Sequence, residues 1–209
     1  IVSLWNPYVA ERLLQGHWGL LVGYGALGWI ALAAARWGVL PSIRRWCVLA
    51  VLLAVAGFTP SGSLLGVAVA VVCGSAVSGP VMARARRVTG VLVAWVISAL
   101  PWLAAAALTS ASTGTDGIAG VRAFGLRSEP ALGPFGTVLG FGGIWNADAV
   151  PASRTFWWAA VATAALVALV GIGSVTLWRR RDRLACNRLG AALAILGVVV
   201  VLVLAVTAT

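Results

Sequence analysis

Four stretches of the chain are apolar over about the 20 residues that a membrane-spanning helix needs: 18–36, 89–108, 156–178 and 189–208. Each predicts a span. Between Trp46 and Val81 the chain is equally apolar but is interrupted by Gly57-Phe58-Thr59-Pro60-Ser61-Gly62-Ser63. That break leaves two pieces, the first of them short for a full crossing, and predicts two short helices or a re-entrant hairpin joined at Thr59-Pro60-Ser61-Gly62. Either arrangement returns the chain to the side it left. The expected fold is therefore an all-α integral membrane protein with about six transmembrane segments, one pair short or re-entrant. Four regions follow: a juxtamembrane segment 1–17, a first helical group 18–108, a long polar loop 109–155 and a C-terminal helical hairpin 156–209.

Composition agrees with this reading, since 61% of the 209 residues are hydrophobic, 10% are charged and the mean hydropathy is +1.01. All 15 basic residues are Arg, against five acidic ones. They do not gather on one soluble face, which argues against a nucleic-acid partner; the lipid bilayer is the expected one. Eleven arginines (Arg36, Arg44, Arg45, Arg84, Arg86, Arg87, Arg179, Arg180, Arg181, Arg183 and Arg188) flank one set of loops, and four (Arg12, Arg122, Arg127 and Arg154) flank the other. The positive-inside rule makes the eleven-arginine side cytoplasmic. Residues 1–17 and the loop 109–155 are then extracytoplasmic in a multi-pass protein of the cell membrane. Trp18, Trp102, Trp157 and Trp158 fit the outer headgroup level and Trp37, Trp46 and Trp178 the inner one, while Trp29 and Trp95 lie deeper and read as helix packing. Gly19 and Gly23 form a Gly-x-x-x-Gly pair suited to close helix approach. Pro101 is expected to bend its helix.

No charged residue or His lies in the middle of an apolar segment, which argues against an ion-coupled transporter or a voltage sensor. Cys47, Cys73 and Cys186 sit in or beside apolar segments and read as free thiols. With His17 the only His and no Cys-x-x-Cys, no metal ligand set is complete. Carboxylates together with a phosphate could still hold a divalent cation. The chain opens at Ile1 without Met or a signal peptide, which predicts a piece of a longer polytopic protein with a missing N-terminal part, or else a trimmed N-terminus.

Candidate chemistry concentrates in two outward segments. In the first, Asn6 is placed to cap a helix starting at Pro7, and Tyr8, Glu11, Arg12 and Gln15 recur along one face. This predicts an interfacial amphipathic helix with a solvent-facing Glu11/Arg12 pair and His17 beside the bilayer. It reads either as a plain juxtamembrane helix or as a lip over a site for a charged headgroup. In the second segment, the 47-residue loop 109–155 is too long for a mere connection. The part from Phe124 onward carries enough apolar residues to pack, and Asp148 and Glu129 are its carboxylates with ordered-looking neighbours. There Arg122, Arg127 and Arg154 suit a phosphate or pyrophosphate. Trp145 beside Asn146 and Asp148 has the makeup of a sugar-binding patch, and of many ordinary structured loops as well.

Asn6-Pro7-Tyr8-Val9-Ala10-Glu11-Arg12-Leu13, Gly16-His17-Trp18, Leu21-Val22-Gly23-Tyr24, Gly143-Ile144-Trp145-Asn146-Ala147-Asp148 and Pro151-x-Ser153-Arg154 resemble polytopic membrane proteins of high-GC actinobacteria. These look like the GT-C superfamily of polyprenyl-phosphate-sugar glycosyltransferases, including the arabinofuranosyltransferases of the mycobacterial envelope. The resemblance implies sugar transfer from a polyprenyl-phosphate donor to a cell-envelope acceptor at an outward-facing site. Under it Glu11 is the candidate base, with Asp148 next. Arg122, Arg127 and Arg154 would neutralise donor phosphate, and Trp145, Asn146, Asp148 and His17 would hold substrate. Such enzymes often carry an acidic pair in the first extracytoplasmic loop; this sequence has no adjacent Asp-Asp or Asp-Glu pair, and its six or so passes are fewer than a complete member has. The alternative is a non-catalytic membrane scaffold or transport subunit.

Overall fold

The computed structural model describes residues 6–36, 42–110 and 125–179, and these are helical, without a strand. They fall into two units. Three helices are long and apolar enough to cross a membrane, Trp18–Ala35, Val81–Thr109 and Trp158–Thr176, which is the makeup of a membrane protein. The expected span 189–208 lies outside the described residues.

One unit contains α2 (Trp18–Ala35), α3 (Ile43–Ala56), α4 (Pro60–Ala76) and α5 (Val81–Ser110), packed on one another. The sequence break between α3 and α4 is a tight turn. Gly57 closes α3 by donating its N–H to the Leu53 and Ala54 carbonyls at 2.8 and 3.0 Å. Thr59 caps α4, its hydroxyl accepting from Gly62 N–H at 3.1 Å, and Pro60 fills the first helical position, where its missing N–H is not needed. The joint thus spans 57–59, and Pro60, Ser61 and Gly62, expected in it, form the first turn of α4. Gly62 is required there because a Cβ would lie 2.5 Å from the Ala56 carbonyl oxygen.

The Gly-x-x-x-Gly pair packs as its spacing suggests, with Gly19 against Thr59 and Gly23 against Ala56 and Gly62. Trp95 donates to the Ser63 hydroxyl at 2.9 Å and Trp46 to the Gly90 carbonyl at 3.2 Å, so each indole is tied into the bundle at its polar end. Trp29, expected to pack inside, is instead 65% exposed. Helix α5 continues through Pro101 and starts at Val81, so the stretch with Arg84, Arg86 and Arg87 is helix and not loop. Arg87 is buried at 1% exposure and donates to the Gly74 and Val77 carbonyls at the C-terminal end of α4. A guanidinium there satisfies carbonyls that the helix leaves open and sits at the negative end of its dipole. Among the arginines counted for topology, this one holds two helices together.

The other unit contains α1 (Pro7–Leu14), a loop with the short helix α6 (Gly133–Leu139), two 3-10 turns at Ala147–Ala149 and Ala152–Arg154, and α7 (Trp158–Arg179). Asn6 caps α1 as expected, its side-chain oxygen accepting from Val9 N–H at 3.1 Å. The described part of the loop is ordered by its own backbone: Arg127 N–H donates to the Gly143 carbonyl, Gly133 N–H to Glu129 and Gly142 N–H to Thr137. Thr137, fully buried, accepts from Glu129 N–H at 2.9 Å and donates to the Gly133 carbonyl at 2.6 Å, pinning Glu129 to the start of α6.

Candidate functional site

Within this unit the loop presents a buried ion pair to α1. Arg154 donates from Nε to Glu129 Oε1 at 3.1 Å and brings Nη2 to 2.8 Å from Oε2, with the two side chains 5% and 4% exposed. Only the Nε–Oε1 contact is a hydrogen bond; Nη2 and Oε2 lie at ion-pair distance but are both buried without a hydrogen-bond partner, so the pair is held by one bond and by charge. The backbone at Gly140 and Gly142 runs against this pair. A Cβ at Gly142 would overlap Glu129 Oε1 and approach Arg154 Nη2 to 2.6 Å, so only glycine admits the charges so close to the main chain. Gly142→Ala is expected to push the pair apart and lower stability by about 1–3 kcal/mol, measured as a drop in the unfolding midpoint of the purified chain.

Glu11 joins this pair, and its position corrects the expectation of a solvent-facing residue. It is 2% exposed and is the buried residue of α1. The reason is that the polar face of α1 lies against polar loop rather than water: Ile144 N–H and the Arg154 and Arg12 guanidiniums all favour the Glu11 carboxylate. Burial and the neighbouring Glu129 charge outweigh them and push Glu11 up from 4.5 to about 7. Its Oε1 is buried without a hydrogen-bond partner, as are Glu129 Oε2 and Arg154 Nη2 beside it. The Glu11/Arg12 ion pair expected at the surface does not form; the ion pair among the described residues is Arg154 with Glu129. Arg12 instead lies over the Tyr8 ring at 5.4 Å, and its Nη1 is 3.4 Å from both Gln15 Oε1 and His17 Nδ1.

Arg154 also reaches a cleft of about 550 Å³ between α1, the loop and α7. Val9, Ala10 and Leu13 form one wall and Trp158, Ala162 and Leu166 another, with Arg154, Ser153, Asn6 and Thr163 as polar groups. The Thr163 hydroxyl oxygen is buried and has no hydrogen-bond partner. An apolar trough with a guanidinium and a few hydroxyls and amides in its wall suits a molecule with a greasy end and an anionic or polyhydroxyl end.

Of the remaining candidates, Asp148 is exposed in the turn Ala147–Ala149, its N–H donating to Asn146 Oδ1 at 3.0 Å. That bond makes Asn146 a turn former. Trp145 is 40% exposed and Arg127 is exposed. None of these four lines the cleft, and neither does Glu11 or Glu129; of the described charged residues only Arg154 does. His17 stands beside Arg12, and Arg122 lies outside the described residues. The structure thus brings Glu11 and Arg154 together and leaves Asp148 apart from them. Two participants, Thr137 and Thr163, carry no role in the sequence reading, and Glu129 is singled out there as a loop carboxylate but given no part in the site. The run Gly140-Phe141-Gly142-Gly143 was the available signal, because closely spaced glycines mark backbone that something approaches. Among the described residues no three of His, Cys, Asp and Glu gather, and a divalent cation at Glu129 would have to displace Arg154. No protein-family model, curated protein or solved structure matches the chain.

Proposed function

We propose that the chain is part of a membrane glycosyltransferase that takes sugar from a polyprenyl-phosphate donor to a cell-envelope acceptor. The observation that carries the reading is the buried carboxylate pair Glu11 and Glu129 with Arg154, next to an amphiphilic cleft whose wall Arg154 joins. Under this reading Glu11 and Glu129, more than a hundred positions apart in sequence, would take the place of the acidic pair that the sequence lacks as neighbours. In the proposed step Glu11 accepts the proton of the acceptor hydroxyl as that oxygen bonds to the anomeric carbon. The carbon–oxygen bond to phosphate breaks, and the lipid phosphate leaves with the electron pair. Arg154 and Arg12 are the cations nearest the pair to balance that charge. A carboxylate titrating at about 7 is well matched to such a base at neutral pH. Trp145, Asn146, Asp148 and Arg127 fall outside the cleft, so any hold they have on sugar is at the exposed surface of the loop.

The rival reading, a non-catalytic scaffold or transport subunit, draws on one observation: Glu11, Glu129 and Arg154 are as buried as a structural lock would be. Transfer of labelled sugar from a polyprenyl-phosphate donor separates the two, in membranes carrying the full chain with Glu11 or with Gln in its place. Unchanged transfer removes Glu11 from the reaction.

The reading also requires the site to face outward. In a chain with Cys47, Cys73 and Cys186 replaced by Ala, a cysteine at exposed Ser128 is expected to react with an impermeant maleimide on intact cells, and one at exposed Ser42 is not. The opposite pattern would turn the site to the cytoplasm and end the envelope assignment.

A further inference from the structure

In the unit built from α2 to α5 a second cleft, about 470 Å³, lies where the end of α2 meets the start of α3. Its rim carries Arg36, Arg44, Arg45 and Ser42; below them it is lined by Trp29, Leu32, Val48 and Leu52. Three arginines here are more than a sidedness signal, for two reasons. First, the whole unit, residues 18–114 and 186–193, contains no Asp or Glu, so nothing within it neutralises them. Second, Arg44 and Arg45 occupy the first turn of α3, whose N-terminus is the positive end of its dipole and carries no acidic residue. Like charges stacked on a positive helix end are unfavourable unless an anion shares the site. Arg45 is already oriented, donating from Nη1 to the Arg36 carbonyl at 3.3 Å, and Ser42 accepts from Arg45 N–H at 3.4 Å.

Beneath this cationic rim the lining turns apolar. Trp29 is seven residues before Arg36, about 10 Å along the helix axis, which matches the upper part of an acyl chain. Trp29, at 65% exposure, and Val48, at 49%, present bare apolar surface. We propose that this cleft is a binding site for an anionic phospholipid, whose phosphodiester sits among Arg36, Arg44 and Arg45 and one of whose acyl chains runs along Trp29, Leu32, Val48 and Leu52. A soluble anion would use the rim alone, and a zwitterionic lipid would bring its own cation to the arginines. The paired charge and apolar depth select the anionic lipid.

The test measures lipid retained by the purified full chain, by native mass spectrometry after extraction from vesicles of equal parts phosphatidylglycerol and phosphatidylcholine. The unaltered chain is expected to retain phosphatidylglycerol preferentially. Replacing Arg36, Arg44 and Arg45 with Gln should lower that preference about tenfold or more, while the equally charged control Arg84→Gln, Arg86→Gln, Arg179→Gln keeps it. Should the triple variant fail to fold, Ala33→Phe fills the cleft with every charge intact and is expected to lose the same preference. Equal loss in the control, or no loss in either cleft variant, would overturn the site. So would displacement of the retained lipid by millimolar inorganic phosphate, which would make the rim a simple anion site.

Discussion

Under the proposed sugar transfer, Glu11→Gln is expected to lower turnover about 100-fold or more, and to leave the chain at least as stable as before at neutral pH. The two halves of this result have one cause. Burial, and then the Glu129 charge, raise Glu11 from 4.5 to about 7, so ionising it in the folded chain is unfavourable. The folded state keeps a proton that the unfolded state has released anywhere between those values. The stability this supplies is complete below about 4.5 and is lost as pH rises through about 7, a swing of at most about 3 kcal/mol. An amide cannot ionise, so the variant should lack that slope and should exceed the unaltered chain in unfolding midpoint at pH 8. Activity depends on the other protonation state. Only the carboxylate accepts a proton, so turnover should rise with pH across 7 while stability falls. Unfolding midpoints at pH 5 and pH 8, measured beside turnover, separate a base from a lock. A variant that gains stability at pH 8 and still transfers sugar normally would make Glu11 a structural acid and favour the scaffold.

How far the sequence allowed this to be read depends on which interactions are local. Apolar length marked spans at 18–36, 89–108 and 156–178, where the helices Trp18–Ala35, Val81–Thr109 and Trp158–Thr176 lie, because a span's hydropathy is written in consecutive residues; the first turns of the second, with its arginines, were not marked. The cap at Asn6, the close approach at Gly23 and the break before Pro60 were legible for the same reason. Arg87 was not, since the carbonyls it satisfies belong to the preceding helix, and a buried guanidinium looks in sequence like any flanking arginine. Glu11 was misread as solvent-facing by the logic of helix periodicity. Periodicity tells which residues share a face of α1, and not whether water or a polar loop covers that face. The cover comes from Ile144 and Arg154, and Glu11 and Glu129 are 118 residues apart, the difference of their numbers. The same distance hid the interaction of Glu11 with Glu129. A search for adjacent carboxylates finds none, although two share one environment once the loop folds.

Arg154→Met is expected to destabilise the chain by about 3–5 kcal/mol at neutral pH, the largest stability effect among these substitutions. Arg154 holds Glu129 by a hydrogen bond to Oε1 and by charge, and it favours ionised Glu11 more than Arg12 does, so its removal strands one buried carboxylate and further disfavours the other. The loss should shrink in acid, where both carboxyl groups can take up a proton and need no cation. Arg154→Lys should fall between, because an ammonium restores the charge but lacks the guanidinium Nε that donates to Oε1 and the second nitrogen that lies beside Oε2. Pairing Arg154→Met with Glu129→Gln should recover most of the stability, since the penalty comes from the unpaired charge rather than from the absent attraction. Unfolding midpoints in detergent, together with protease sensitivity of residues 125–155, would read all three variants. If Arg154→Met were as stable as the unaltered chain at pH 7, Glu129 and Glu11 would not depend on that guanidinium. The site's electrostatics would then have to be rebuilt around Arg12.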